Sequence, residues 1–471
     1  MEAGVHCSSQ GGARLSSFLI HSGTLVCMDA AGTVARGDLL VRDGAIIALG
    51  PSVPGALAAL SGGRADESID ASGAFVLPGF VHGHLHLCQT LFRGLAEQSD
   101  LLRWLREGVW PLEAAHSETS IAAAVRLGLL ELIAGGVTCV NDMGTVHHAD
   151  AIARVLEESG IRAVFGKALM DRGRGVPPGL RESTATALES ALALARRWDG
   201  AADGRLRVSL APRFILSCSA ALWHDVAAAA AEHGLLVHTH LAESATEARE
   251  VESVVSSTAA RYFAKHGVLS ERFVGAHGVW VDDEELGLLQ RADAALVHCP
   301  GANLKLGAGF ANVKRWARVG LKRGIGSDGA ACDNRLDTFH ELSLAALITR
   351  ALEPAEHLTP REVLALATCE GARALGLGGV TGALELGRQA DVIVVDHTAL
   401  HQAPNETRDP YITLVHATRA SDVRLTMVAG RILYRDGEWK TLDAERVIAE
   451  ARAEARALAR RAEGGVSVRA A

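Results

Sequence analysis

From Gly79 to about Leu375 the chain alternates short apolar, β-rich runs with longer stretches rich in Ala and Leu, and no other feature restricts its folding as much. Neighbouring parallel strands cannot be joined by a tight turn. A helical crossover makes the connection, so repeated strand–helix units build a parallel sheet covered by helices. Eight candidate strands are read: Phe80 to His86, Val137 to Met143, Arg162 to Met170, Arg205 to Arg213, Leu235 to Leu241, Phe273 to His277, Ala294 to Cys299 and Gly324 to Asp328. Eight units predict an α/β fold closed into a (β/α)8 barrel of the TIM type, which takes about 250 residues. A chain of 471 residues has room for that barrel and a smaller appended module.

Short strands flank the barrel on both sides. Leu19 to Met28, Gly37 to Leu49 with the hairpin pair Asp43-Gly44, and Asp70 to Leu77 precede it, whereas Val392 to Asp396 and Leu425 to Tyr434, followed by Asp436-Gly437, come after it. The expected organisation is residues 1–77 as the first part of a small β-sandwich, 78–376 as the barrel, 377–440 as the second part of the sandwich, and 441–471 as a terminal helix and tail. Ala444 to Arg461, dense in Ala, Arg and Glu, reads as a solvated helix.

Charge and composition narrow the function. The net charge is −8 with Lys and Arg scattered, which argues against a nucleic-acid partner. Hydrophobic residues at 48% and charged residues at 22% suit a soluble globular protein, and no run approaches the ~18 uncharged apolar residues of a membrane span. Met1 to Leu15 lacks the basic start and apolar run of a secretory signal. The eight cysteines, Cys7, Cys27, Cys88, Cys139, Cys218, Cys299, Cys332 and Cys369, form no C-x-x-C pair, as expected for reduced thiols in a cytoplasmic protein.

The chemistry concentrates at strand ends. In Phe80-Val81-His82-Gly83-His84-Leu85-His86, alternation along a strand points His84 and His86 the same way, so two imidazoles can reach one ion. Neutral imidazole suits zinc or iron. His240 closes Val237-His238-Thr239-His240, with Glu243 three residues on; His277 ends Phe273 to His277, and Asp328 ends Gly324 to Asp328. All fall at the C-terminal ends of barrel strands, where barrel active sites lie.

This ordered set, H-x-H, H-x-x-E, H and D, resembles the amidohydrolase superfamily, in the branch of guanine deaminase, adenosine and S-adenosylhomocysteine deaminases and triazine hydrolases, over nearly the whole chain to Gly430. The resemblance implies one divalent metal ion, zinc first and iron second, bound by His84, His86, His240 and Asp328. It implies proton handling by Glu243, His277 and Asp328, with Glu243 carrying a proton through a pKa raised by burial. A bound divalent ion makes water a nucleophile near neutral pH. Binuclear members bridge two ions through a lysine on the fourth strand; that strand ends here in Ala211-Pro212-Arg213, so one ion is expected.

For the substrate, Gln89 and Pro212-Arg213-Phe214 resemble the segments with which guanine deaminases grip the purine carbonyl and stack on its ring. An arginine offers planar donors and a phenylalanine a flat apolar face. Glu113 and Trp110, in a segment that covers the pocket in these enzymes, and His298 complete the expected substrate-binding set. Leu304-Lys305-Leu306-Gly307 and Ser327 to Ala331 look instead like the adenosine-type deaminases, which usually carry histidine where this chain has Arg213.

The expected activity is hydrolytic deamination of a small aminated purine-type heterocycle, guanine-like first and adenosine-type second. A triazine amino- or chlorohydrolase and a cyclic amide hydrolase are the alternatives. The resemblance also implies a homodimer. His238 reads as a barrel-layer residue, Lys167 as structural, His116 and His147-His148 as exposed, and His82 departs from the Asn or Asp of the family while sharing the side of His84 and His86.

Overall fold

The computed structural model describes residues 17–95, 100–404 and 409–463; Cys7 and the segment Met1 to Leu15 read for a secretory signal lie outside them. The barrel strands are, in chain order, Phe80–Leu85, Val137–Met143, Arg162–Gly166, Leu206–Pro212, Leu236–Leu241, Phe273–His277, Ala295–His298 and Lys322–Ile325. Each pairs in parallel with the next, and the ring closes where Ile325 of the last strand meets His82 of the first. Helices cover the outside, so the strands are buried on both faces. This is why they read as nearly continuous apolar runs rather than alternating ones.

Most strands differ from their expected extents, usually by a residue at one or both ends, and the two largest differences shape the upper rim. The last strand stops at Ile325, and Asp328 follows in a turn at φ +62°. At Gly326 a Cβ would lie 2.4 Å from the carbonyl oxygen of His84, so the chain crosses the first strand at backbone contact and then carries Asp328 inward. The third strand breaks at Lys167 and resumes as Ala168–Leu169, which pairs with the fourth. The Lys167 ammonium is 2.5 Å from the Glu182 carboxylate and donates to Ser190 Oγ at 2.6 Å.

The flanking strands Ser17–Val26, Val34–Arg42, Ala45–Leu49, Glu67–Asp70, Ala74–Pro78, Val392–Asp396, Val423–Val428, Arg431–Arg435 and Glu438–Trp439 form one continuous hydrogen-bonded sheet. The two chain ends meet where Ala74–Pro78 pairs antiparallel with Val392–Asp396. Ile20, Leu39, Val41, Val76, Val394 and Leu425 are among the residues of its own apolar core. Asp43 and Gly44, at φ +52° and +80°, make the hairpin turn read from the sequence.

A buried ion pair ties this sheet to the lower end of the barrel. Arg162, which opens the third strand, donates from Nε to Asp391 Oδ2 at 2.7 Å and from Nη2 to Oδ1 at 3.1 Å. The terminal helix Ala444–Glu463 is not solvated all round, contrary to expectation. Val447, Ala451, Leu458 and Ala462 are buried on one face, and the helix packs along Glu118–Ala134. Its apolar residues recur at helical spacing, a stripe that the many Ala and Arg residues disguise. Among the described residues no helix is long and apolar enough to cross a membrane.

Candidate metal centre and its cavity

The strand ends bring the expected side chains together. His86 Nε2 is 3.1 Å from His240 Nε2, and Asp328 Oδ1 is 3.3 Å from both His84 Nε2 and His86 Nε2. His277 Nε2 lies 4.0 Å from Asp328 Oδ2, and ligand atoms of His84, His240, His277 and Asp328 all fall within 4.8 Å of one another. Two ring nitrogens at 3.1 Å need a proton or a cation between them.

Four imidazoles are held from outside. Nδ1 of His86 donates to the Met143 carbonyl at 2.7 Å, Nδ1 of His240 to the Arg213 carbonyl at 2.8 Å, and Nδ1 of His277 to Asn303 Oδ1 at 2.9 Å. His84 Nδ1 shares a proton with His238 Nε2 at 2.8 Å. A ring whose Nδ1 carries the proton turns a lone pair on Nε2 to the interior, as a metal ligand must. His238 is thus the partner that fixes His84.

The electrostatics favour the same use. Burial lowers the pKa of His84 to about 4 and holds those of His86, His240 and His277 below the ordinary value, so the rings are neutral. Burial alone would raise Asp328, but the close approach of His84, and then of His86 and His277, holds it well below the usual carboxylate range. His84 Nε2, His277 Nε2 and Asp328 Oδ1 are buried without a hydrogen-bond partner. Buried polar atoms are rarely left so, and here they converge on one point with the donor chemistry of a divalent site. The residues present fit a metal ion.

Glu243 follows the fifth strand and overlooks this cluster, with Oε2 3.5 Å from His277 Nε2. Burial, and then the charge of Asp328, push its pKa well above the ordinary value, which favours the protonated carboxyl. In front lies a cavity lined by His86, Gln89, Leu101, Trp104, Leu105, Arg213, Phe214, His240, Glu243, Glu247, Asp328 and Cys332.

Residues 75–433 match the model of the amidohydrolase family. The chain belongs to that family. A 5-methylthioadenosine/S-adenosylhomocysteine deaminase of Natronomonas pharaonis is 37% identical over 439 residues, covering 92% of this chain and 96% of its own. An adenosine deaminase structure from Xanthomonas campestris with bound zinc superposes with a TM-score of 0.86 at 28% identity, covering 94% of this chain and 98% of the other. The guanine deaminase of E. coli superposes at 0.77 with 25% identity, over 89% and 99% of the two chains. The amidohydrolase is accordingly a metal-dependent enzyme hydrolysing C–N bonds.

Around the amidohydrolase centre the expected substrate-binding residues separate into two groups. Gln89, Arg213 and Phe214 line the cavity. Glu113 stands behind them and binds two of them: Arg213 donates to its two oxygens at 2.5 and 3.1 Å, and Gln89 Nε2 to Oε1 at 3.0 Å. Trp110 and His298 are buried but do not reach the cavity wall. The Trp110 ring backs Phe214 at 6.4 Å, and His298 lies edge-on to Trp316 at 6.2 Å.

His82 turns to Ser327 and Thr338. Its Nε2 accepts from the Ser327 amide at 2.8 Å and its Nδ1 is 3.2 Å from Thr338 Oγ1, so it steadies the Asp328 turn from outside the cluster. His116 is half-buried rather than exposed, because it bonds the Cys88 carbonyl at 3.0 Å and Ser120 Oγ at 2.8 Å. His147 and His148 are exposed. Leu101, Leu105, Glu247 and Cys332 were not foreseen at the cavity. Glu247 could have been suspected from Ser244-x-x-Glu247, a helix-start pattern directly after Glu243.

Proposed function

We propose that this amidohydrolase removes the amino group of an aminated purine-type heterocycle as ammonia, with an adenosine-type compound ahead of a guanine-like one. The observation that carries the reading is the position of the buried Glu243 carboxyl, 3.5 Å from His277 Nε2 and beside four inward-facing imidazoles and Asp328, where burial raises its pKa and favours a held proton. The proposed ligand set is His84, His86, His240 and Asp328 around one ion, zinc first and iron second. Lys167, held by Glu182 and Ser190, is not available to bridge a second ion.

A divalent cation in this nest supplies the Lewis acidity that makes water nucleophilic at neutral pH. Glu243 donates its proton to the ring nitrogen beside the amino-bearing carbon, which makes that carbon more electrophilic. His277, with Nδ1 fixed by Asn303, offers the Nε2 lone pair that orients and polarises the attacking water. Asp328, ionised, takes a proton from the water and passes it to the departing nitrogen. The C–O bond forms first and the C–N bond then breaks, and the remaining hydroxyl proton of the added water returns to Glu243, so ring amine and water become ring carbonyl and ammonia with both carboxyl groups restored.

The order of substrates rests on the deaminase relatives named for adenosine-type compounds, and it reverses the order read from the sequence. The guanine-like reading keeps one observation in its favour, the Gln89, Arg213 and Phe214 wall. Ammonia release from 5'-deoxyadenosine, methylthioadenosine, guanine and an aminotriazine, with metal content measured on the same sample, tests both. Turnover of an adenosine-type compound is expected; release from the triazine alone would overturn the purine reading.

A further inference from the structure

Glu247 stands outside the mechanism above, yet it lines the same cavity as Glu243 and is 3% exposed. It is the third residue of the helix Ala245–Val255, whose N-cap Ser244 accepts from the Glu247 amide at 3.1 Å. In an ordinary capping box the glutamate at this position would reach back to the amide of the cap residue itself. Here it reaches one residue further: Glu247 Oε2 accepts the backbone N–H of Glu243 at 3.1 Å. The helix start alone does not require that bond.

The local backbone gives the bond a purpose. Ala242, directly before Glu243, has φ +46°, the left-handed region that costs an L-residue about 1–2 kcal/mol. The chain is thus bent sharply out of the fifth strand at the one place where Glu243 must be aimed back over the strand ends. A strained backbone persists only where its surroundings hold it. Leu241 accepts from the Gly278 amide at 2.9 Å, and Ala242 accepts from the Trp280 amide at 3.0 Å, so the carbonyls on the strand side are fixed. The Glu243 amide is fixed by Glu247.

We propose that Glu247 is a positioning residue for the proposed deamination: its carboxyl oxygen holds the Glu243 amide and thereby sets where the Glu243 carboxyl stands relative to His277 and the substrate ring. The inference rests on the reading of Glu243 as the proton carrier. What the bond requires of residue 247 is an acceptor oxygen at that reach, which the side-chain amide of glutamine also supplies.

Full-length, metal-loaded Glu247→Ala and Glu247→Gln variants test this, with Ser244→Ala as a control that removes the ordinary helix cap. Four quantities are read: kcat and KM on the compound the unaltered enzyme deaminates best, metal content, and amide exchange of a peptide spanning residues 241–244. A misplacement of about 1 Å at a reacting group costs roughly 10²-fold in rate. Glu247→Ala is therefore expected to lose about that factor in kcat, with KM within about 3-fold, metal retained and exchange at 241–244 accelerated. Glu247→Gln should stay within about 3-fold of the unaltered enzyme, and so should Ser244→Ala.

Unaltered kcat in Glu247→Ala, or an equal loss in Ser244→Ala, overturns the inference. So does a glutamine variant as impaired as the alanine one while its exchange is normal, because charge and not position would then matter. Should the unaltered protein release ammonia from no aminated heterocycle, the proposed function falls, and the exchange comparison still decides the bond: unchanged protection in Glu247→Ala overturns it.

Discussion

At the lower end of the barrel Arg162 and Asp391 form a complete pair, whereas at the upper end Asp328 faces His84, His86 and His277 with Oδ1 unpartnered. Asp391 Oδ1 accepts from Arg162 and from the Ala429 amide at 2.8 Å, and Oδ2 accepts from Arg162 Nε, so both oxygens are bonded within the protein. At the rim His84 Nε2, His277 Nε2, Asp328 Oδ1 and Glu243 Oε1 are all buried without a partner. Burying polar groups unpaired is costly, and a fold tolerates it where a ligand supplies the missing bonds. The lower pair ties the flanking sheet to the barrel; the upper cluster leaves polar atoms unsatisfied, as the proposed metal site requires.

Substitutions at the two ends should therefore fail in different ways. Asp328→Ala is expected to lose metal and to lower the deamination rate by about 10⁴-fold or more, while the fold survives. Metal analysis and ammonia release check it, and full metal occupancy with normal turnover would erase the distinction between the ends. Glu243→Gln sharpens the same point, since it removes the proton but not a ligand: metal should stay and kcat should fall about 10²–10⁴-fold. At the lower end Arg162→Met strands the Asp391 carboxylate in the interior, an error worth about 3–5 kcal/mol of stability. Urea unfolding should record that loss, with kcat within about 2-fold of normal wherever the variant is folded. A large fall in kcat at constant stability would mean that the lower pair takes part in the site.

How far this contrast was legible in the sequence differs residue by residue. The barrel could be read because its strand–helix period is regular. His84, His86, His240 and His277 could be placed because alternation and strand-end position are local properties. Asp328 was placed correctly at the rim, though the last strand ends earlier, at Ile325, because the approach of Gly326 to His84 is a contact between distant segments. The lower pair was not legible, since nothing near Arg162 announces a partner 229 residues away. Glu113 was placed on substrate by resemblance, but its carboxylate binds Arg213 across a separation of 100 residues. His298 was expected at the pocket, and in a strand as short as Ala295–His298 alternation does not decide which face meets the cavity. Glu247 reads as an ordinary helix start until the bend at Ala242 is seen.

Asp142 yields the smallest effect, and it tests the idea that the rim stores unsatisfied groups. It lies on the second strand, wholly buried; Oδ1 accepts the Leu87 amide at 2.8 Å, and Oδ2 has no partner. Burial raises its pKa from 3.8 to about 7. An acid raised in this way keeps its proton in the native state after the unfolded chain has lost it. Its contribution to stability is fully present below 3.8 and is lost as pH rises to about 7, with a slope of up to about 1.4 kcal/mol per pH unit from that one proton. Glu247, raised from 4.5 to about 8 by burial and by Glu243, adds a slope of the same sign, so the difference between two proteins must be measured rather than the slope of one. In metal-free protein the urea midpoint should fall from pH 5 to pH 7 more steeply in the unaltered chain than in Asp142→Asn, whose amide has no proton to lose. Parallel curves would mean that Asp142 is ionised in the native state and that its free oxygen is satisfied in solution, as Asp391 is satisfied at the opposite end.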